Sequence, residues 1–141
     1  MVNPKSINRE LFTMANTFSG RGNLGQDPVL KQVSVNDELR PVVELRVYID
    51  RPVPVAEGHF QDRGGFWLDA NLWGPRAEHV ARCLAKGARV RVEGTLWQDA
   101  WEDKDSGEPR RRLRLTAEQV DLDLARVEAV TWRARMTDEA A

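Results

Sequence analysis

Hydrophobic and polar residues alternate along several stretches of this chain, with the period of a β-strand whose two faces meet different surroundings. Between residues 42 and 50, for example, Val43 and Leu45 share one face while Glu44 and Arg46 share the other. Each such stretch predicts a half-buried strand. The predicted strands span residues 42–50, 66–73, 88–97 and 110–117, with a weaker one at about residues 17–24.

A helical period interrupts the strands. Pro75 suits the first turn of a helix, where its missing N–H costs nothing, and Lys86 and Gly87 suit the C-terminal end. The apolar stripe between them consists of Ala77, Val80, Ala81 and Leu84. One helix between the third and fourth strands of a small barrel is the OB-fold arrangement. We therefore predict an all-β fold with one helix, a five-stranded OB-fold β-barrel.

The segments outside these elements set the expected domain organisation. Residues 51–65 hold two prolines and three glycines and predict a long loop. Residues 101–109 predict a hairpin loop with a turn near Ser106 and Gly107. The expected divisions are an N-terminal arm at residues 1–15, the barrel domain at residues 16–120 and a C-terminal extension at residues 121–141.

Two tryptophans of the third strand are out of step with the core. Trp67 and Trp73 share a strand face with Asp69 and Asn71, whereas Leu68 and its aliphatic neighbours point the other way. A large aromatic on a polar strand face costs solvation unless a partner covers it. The competing interpretation is packing against the long loop, the N-terminal arm or another subunit.

The fourth strand repeats this pattern. Trp97 has the parity of Arg89 and Arg91, and Trp101 continues that parity into the hairpin. Flat rings beside arginines suit single-stranded nucleic acid, because bases stack on the rings while arginines contact phosphates. Trp132 lies in a poorly patterned segment, and for it we favour packing.

The charge is close to balanced, with 21 basic and 22 acidic residues and a net charge of −1. A neutral total does not exclude DNA binding, because phosphate contacts come from local patches. Arg112 and Arg114 alternate to the same side of the last strand, whereas a solvated strand edge is favoured for Arg110 and Arg111. The candidate phosphate contacts are Arg21, Arg46, Arg89, Arg91, Arg112 and Arg114.

No pattern in the chain indicates catalysis, a metal or a cofactor. His59 and His79 have no partners that would form a triad or a ligand set, and Cys83 is expected to be a small core residue. The letters of residues 20–25 match a dinucleotide fingerprint, but no helix follows. The glycines at 20 and 22 instead predict a bulge or a close backbone approach.

With no long apolar run, we expect a cytoplasmic, nucleoid-associated protein without a membrane partner.

Several short motifs follow one another across about residues 16–120. They are residues 22–28 (GNLGQDP), Trp67 through Gly74, residues 77–87 (AEHVARCLAKG), residues 90–96 (VRVEGTL), and Trp101 with Asp103 and Gly107. Each motif alone is weak, but their shared order is specific. In this order they resemble the motifs of the bacterial single-stranded DNA-binding protein family.

The resemblance implies an OB-fold, often tetrameric, that wraps DNA without sequence preference. It implies base stacking at Trp67, Trp73 and Trp101, whereas Trp97 rests on strand parity alone. A further tryptophan of the family has no counterpart here, and Phe60 is a candidate substitute for it. The sequence ends MTDEAA rather than in the family's acidic tip with a terminal phenylalanine, so recruitment of partners through such a tip is not expected.

Together these patterns predict sequence-independent binding and protection of single-stranded DNA in replication, recombination or repair, without enzymatic activity. A homo-oligomer, either a tetramer or a dimer, is expected because one barrel offers a site of only about 4–16 nucleotides. The alternative is an OB-fold adaptor that uses the tryptophans to bind a protein in a replication or conjugation complex.

Overall fold

A computed structural model describes residues 16–135 of the chain. This part forms eight strands, one α-helix and a short 3-10 helix. The strands are β1 (Phe18–Leu24), β2 (Val29–Val35), β3 (Glu38–Ile49), β4 (Pro52–Ala56), β5 (His59–Asp62), β6 (Phe66–Trp73), β7 (Arg89–Glu102) and β8 (Pro109–Leu122). The helices are α1 (Arg76–Cys83) and the 3-10 helix (Leu124–Arg126).

Five of the strands close into a ring. The order along it is β1, β7, β8, β6 and β3, and β3 pairs with β1 to complete the circuit, while β2 lies outside against β3. Strands β6 and β8 run parallel, and the other ring pairs are antiparallel. The helix α1 follows the third ring strand and precedes the fourth. This order of ring strands and helix along the chain is the one predicted from the sequence.

One face of every ring strand points into a common core. Val43, Leu45 and Val47 of β3 are at most 2% exposed, and α1 contributes Ala77 and Val80. Each fully buried aliphatic side chain contributes about 1.5–3 kcal/mol to folding. The remaining core residues are Leu24, Ile49, Leu68, Ala70, Leu72, Val90, Val92, Leu115 and Ala117.

Residues 22–28 are shaped by close contacts with neighbouring backbone. A Cβ on Gly22 would lie 2.0 Å from the carbonyl oxygen of Tyr48, so only glycine lets β1 approach β3 where the ring closes. The predicted close approach is therefore confirmed at this position. The Asp27 carboxylate accepts a hydrogen bond of 2.8 Å from the backbone N–H of Lys86, which ties the loop after β1 to the turn after α1.

The predicted long loop over residues 51–65 is wrong. Strands β4 and β5 pair as a two-stranded sheet and turn at Gly58, whose φ is +74°. The prolines and glycines of this segment suggested a loop. Both strands of a two-stranded ribbon are edge strands, however, and an edge strand tolerates proline because the N–H that proline lacks can point away from the partner strand. The sequence also carries no strand signal for β2, because most of its residues are exposed on both faces.

The helix is shorter than predicted, and the sequence analysis assigned the wrong environment to its last residue, Cys83. The helix ends at Cys83, and Gly87 takes its positive φ of +92° in the turn that follows. Cys83 is exposed, so the prediction that it is a core residue is wrong. The chain becomes extended at Leu84, which packs against the core in its place. No helix within residues 16–135 is long and apolar enough to span a membrane.

Candidate nucleic-acid interface

Four tryptophans lie on the outer surface of the ring, which we call the tryptophan face: the outward residues of β3, β6, β8 and the second half of β7. Trp67 and Trp73 stand on β6, and Trp97 and Trp101 stand on β7. Their side chains are 41–47% exposed. Because inward and outward residues alternate, these indoles are presented to solvent by the same strands that bury the core.

Strand register brings residues distant in sequence side by side on this face. Asp69 on β6 stands opposite Arg46 on β3 and, across the parallel pair, opposite Arg114 on β8. Arg114 stands opposite Trp97 on β7. One row therefore crosses four strands with the order Arg46, Asp69, Arg114 and Trp97. Directly opposed side chains in such rows have Cβ atoms about 4.5–5.5 Å apart, within contact distance.

The Trp67 ring is held by three neighbours. The Tyr48 ring meets it edge to face, with centroids 5.3 Å apart, and the Arg46 guanidinium carbon lies 4.8 Å from the indole centroid. A Cβ on Gly25 would lie 2.5 Å from Cζ3 of Trp67, so this glycine leaves room for the indole. The ring is thus fixed on its inner side while nearly half of it stays open to solvent.

The two tryptophans of β7 are held differently. The Trp97 Nε1–H donates a hydrogen bond of 3.0 Å to Oγ1 of Thr116 on β8, which sets the plane of its ring. Trp101 lies farther along the hairpin, and the Arg112 guanidinium carbon is 5.3 Å from its centroid. These contacts restrict both rings before any ligand arrives, which reduces the entropy cost of stacking.

Trp73 forms one wall of an open pocket of about 570 Å³ at the end of β6. The other walls include Arg40 and Pro41 of β3 and Pro75 at the start of α1. The lining is mainly apolar apart from the arginine. A flat apolar group stacked on the indole would fit this pocket, with a cation beside it.

The arginines of the tryptophan face are paired with carboxylates. Asp69 lies 3.0 Å from Nη1 of Arg46 and 3.2 Å from Nη1 of Arg112. Asp99 lies 3.0 Å from Nε of Arg114. Positive charge on this face is therefore largely balanced, in agreement with the net charge of −1.

The other three candidate arginines lie apart from this cluster, where the first half of β7 pairs with β1. Arg21 is exposed and stands opposite Arg91 in the register. Arg91 donates to Ser19 and to Glu93. The structure therefore brings four tryptophans and three of the six predicted arginines onto one face.

Arg89 differs from all the other candidates. Its guanidinium donates to Asn23 at 2.9 Å and to both carboxylate oxygens of Asp50 at 3.0 and 3.2 Å, with Asp123 3.9 Å away. Its side chain is only 27% exposed. These contacts join β1, the end of β3 and the residues after β8, which is a structural task.

The β4–β5 hairpin is anchored beside the face. The Tyr48 hydroxyl donates to Asp62 at 2.6 Å, and the same carboxylate accepts from the backbone N–H groups of Arg51 and Gly64. The Tyr48 bond and these N–H groups hold the pKa of Asp62 below its ordinary value, and Asp62 raises the pKa of Tyr48. Phe60 on this hairpin is 68% exposed.

The tip of the β7–β8 hairpin is a closed turn. Asp103 accepts hydrogen bonds from the backbone N–H groups of Asp105 and Ser106, which lower the pKa of its carboxyl group, and it also accepts from Arg110. Gly107 takes a φ of +70° in this turn. The predicted turn near residues 106 and 107 is confirmed.

Two further points separate the structure from the sequence interpretation. Trp132 is 85% exposed, so it does not pack against the other described residues, and its packing against the N-terminal arm or another subunit stays a prediction. The sequence analysis did not identify Asp69 as the shared partner of Arg46 and Arg112. The alternation of residues within β6 shows which side chains face outward, but not which strands lie beside β6. Within residues 16–135, no three His, Cys, Asp or Glu side chains cluster as a metal site requires.

Known proteins resemble this chain in sequence. The model of the single-strand binding protein family matches residues 15–123. The single-stranded DNA-binding protein of Aquifex aeolicus is 35% identical over 101 residues, covering 72% of this chain and 65% of that protein. Single-stranded DNA-binding protein 1 of a Synechocystis strain is 36% identical over 56 residues, covering 40% of this chain and 46% of that protein. The matches thus span less than two thirds of these two relatives.

A solved structure shows the same fold. The crystal structure of the small single-stranded DNA-binding protein from Streptomyces coelicolor superposes with a TM-score of 0.68 at 21% identity, covering 79% of this chain and 97% of that one. The predicted OB-fold, with a ring of five strands, is thereby confirmed. The family match extends over most of the chain and confirms the resemblance found in the motifs. This chain belongs to the single-strand binding protein family.

Proposed function

We propose that this chain binds single-stranded DNA without sequence preference and protects unpaired strands during replication, recombination or repair. The observation that carries the proposal is the tryptophan face, where four indoles that are 41–47% exposed lie on β6 and β7, on either side of β8. Base stacking on an aromatic side chain contributes about 1–3 kcal/mol per base and tolerates any base, because every base has a π-face. Binding alone, with no chemical step, accounts for this arrangement.

In this proposal the four tryptophans stack on bases and the arginines contact the backbone. Arg46, Arg112 and Arg114 lie beside the rings and supply the nearest phosphate contacts. Arg21 and Arg91 extend the path toward β1. Arg89 supports the fold instead, because its guanidinium is already bonded to Asn23 and Asp50. This arginine is therefore left out of the path.

Quenching of tryptophan fluorescence by poly(dT), at low and moderate salt and beside a duplex control, tests the proposal. We expect strong quenching by the single strand alone. Trp67→Ala and Trp73→Ala should each weaken binding by a factor corresponding to about 1–3 kcal/mol. Trp132→Ala is the matched control, because this residue is 85% exposed but is not on the face. Absence of quenching and of binding at low salt would disprove the proposed function.

A second candidate is an adaptor that uses the tryptophan face to bind a protein of a replication or conjugation complex. The balanced charge of the face favours it, since Asp69 and Asp99 already occupy three arginines. The two candidates differ in salt dependence, because phosphate binding releases counterions. DNA affinity that falls steeply with salt supports the first candidate, while salt-independent or undetectable DNA binding supports the second.

We also propose that the chain assembles into a homo-oligomer, either a tetramer or a dimer. Among the described residues, β2 has a sheet neighbour on one side only, and Val29 and Leu30 on it are 39% and 41% exposed. An edge strand with apolar side chains is a template for pairing with another chain. Light scattering coupled to size exclusion gives the mass directly, and a monomer of 16.0 kDa at all concentrations would contradict this proposal.

A further inference from the structure

Asp69 has an unusual position on the tryptophan face. Its carboxylate is the only negative group in the cross-strand row of Arg46, Asp69, Arg114 and Trp97, and its side chain is 16% exposed. The guanidinium groups of Arg46 and Arg112 both lie within 3.2 Å of it. The two arginine side chains are themselves 41% and 46% exposed, so a ligand can reach them.

The two halves of this carboxylate are not equally well bonded. Oδ1 accepts a hydrogen bond of 3.0 Å from Arg46. Oδ2 is buried and lacks an aligned hydrogen bond, although Nη1 of Arg112 lies 3.2 Å away. If Arg112 turned toward a phosphate, Arg46 would still hold Oδ1, but the buried Oδ2 would lose its nearest cation, which is costly. The carboxylate therefore opposes the contact of Arg112 with a phosphate.

We propose that Asp69 is a specificity-determining residue that competes with backbone phosphates for Arg112 and Arg46, so that stacking must supply most of the binding energy. This inference rests on the proposed function of the same face. Ligands that offer phosphates without free base faces, such as duplex DNA, then gain too little to bind. Suppressing unwanted partners with a repulsive charge is a general route to specificity.

The central test is Asp69→Asn, which keeps the shape of the side chain and removes its charge. The probes are a dT oligomer and an abasic oligomer of equal length, which carries the same phosphates without bases. We expect the variant to bind the dT oligomer about tenfold more tightly at low salt, the gain of one charge-assisted contact. The abasic oligomer, which the unmodified chain should not bind measurably, should become a detectable ligand.

Salt dependence separates competition from a general change of charge. For single strands, log K falls with log salt by about 0.7 per phosphate neutralised, so release of one arginine should steepen the slope by about 0.7 and release of both by about 1.4. Glu78→Gln is the control, because it removes the same charge from an exposed residue of α1 that lies outside the tryptophan face. This control should leave the slope unchanged, and an equal steepening would overturn the proposal.

The opposite role would give the opposite result. If Asp69 served to position its arginines, Asp69→Asn would weaken binding of the dT oligomer without steepening the slope, and this would overturn the inference, as would an unchanged affinity. Circular dichroism verifies that the variant is folded. If it is not, Asp99→Asn decides by the same measurements, since Asp99 holds Arg114 at 3.0 Å on the exposed hairpin.

Failure of this inference is distinguishable from failure of the proposed function. A chain that binds neither oligomer before substitution loses the proposed function. A chain that binds the dT oligomer, and whose Asp69→Asn variant gains nothing, keeps that function and loses only the competing role of Asp69.

Discussion

Arg89 and Arg112 both lie beside carboxylates, but the first arginine holds the fold together and the second remains open to a ligand. Arg89, where β7 begins, donates to Asn23 and to both oxygens of Asp50 and is 27% exposed. Arg112, on β8, has one carboxylate neighbour without an aligned hydrogen bond, lies against Trp101 and is 46% exposed. The guanidinium of Arg89 is already bonded to other residues of the fold, whereas that of Arg112 retains N–H groups that can bind a ligand.

The comparison teaches that residue type and strand parity do not by themselves identify a ligand contact. Both arginines alternate outward, and both lie near carboxylates. What separates them is the number of well-aligned bonds already made and the exposure that remains. Substitution at the first site should therefore reduce stability, whereas substitution at the second should mainly reduce binding.

The largest expected effect concerns the two tryptophans of β6. Replacing Trp67 and Trp73 together by alanine should weaken binding of a dT oligomer by about 2–6 kcal/mol, because two stacking platforms are lost. Isothermal titration at moderate salt measures the change. Thermal unfolding should change little, because both rings are nearly half exposed. Affinity equal to that of the unmodified chain would assign stacking to other residues.

Arg89→Ala should lower the free energy of unfolding by about 2–3 kcal/mol, since Asp50 loses its charged partner in a half-buried site. Urea denaturation followed by circular dichroism measures it. The salt slope of DNA binding by the folded fraction should stay the same. A flatter slope with unchanged stability would place Arg89 on the phosphate path and break the comparison.

Arg112→Ala should weaken DNA binding by about 1 kcal/mol and flatten the salt slope by about 0.7, the share of one phosphate. The loss of stability should be about 1 kcal/mol, smaller than for Arg89, because Oδ2 of Asp69 loses its neighbour. Arg111→Ala is the control, because Arg111 pairs with Ala100 and has the opposite strand parity. Equal effects on binding from the two variants would argue against a phosphate row on one face.

The smallest effect concerns the hairpin beside Trp67. Because the pKa of Asp62 is held below 3.8 in the folded chain, its contribution is present above that pH and is lost as pH falls through the lowered pKa. Because the pKa of Tyr48 is raised above 10.0, its contribution is present below that pH and is lost as pH rises through the raised pKa.

The hairpin contact should therefore persist between about pH 4 and pH 10. Amide chemical shifts of Arg51 and Gly64, whose N–H groups bond to Asp62, should move together on acidification. Asp62→Asn should abolish that transition. Amide shifts that titrate unchanged in this variant would assign the transition to another carboxyl group.

The strands and the helix were predictable where one face meets the core and the other meets solvent. Residues 43–49 and 68–72 alternate between buried and less buried positions without interruption, and both ranges lie in ring strands. The prediction failed where neither face is buried. Strand β2 and the β4–β5 hairpin are mostly exposed, so no periodic burial marks them in the sequence.

The sequence by itself determined which side chains face outward, because the period of a strand is two and a shift of one residue would bury Trp67 in place of Leu68. It could not determine which strands adjoin. The parallel pairing of β6 with β8, which sets Asp69 opposite Arg114, joins residues 45 positions apart, counted from 69 to 114. That pairing, and with it the carboxylate that occupies Arg112, follows from closure of the ring around one core and is decided only by the tertiary structure.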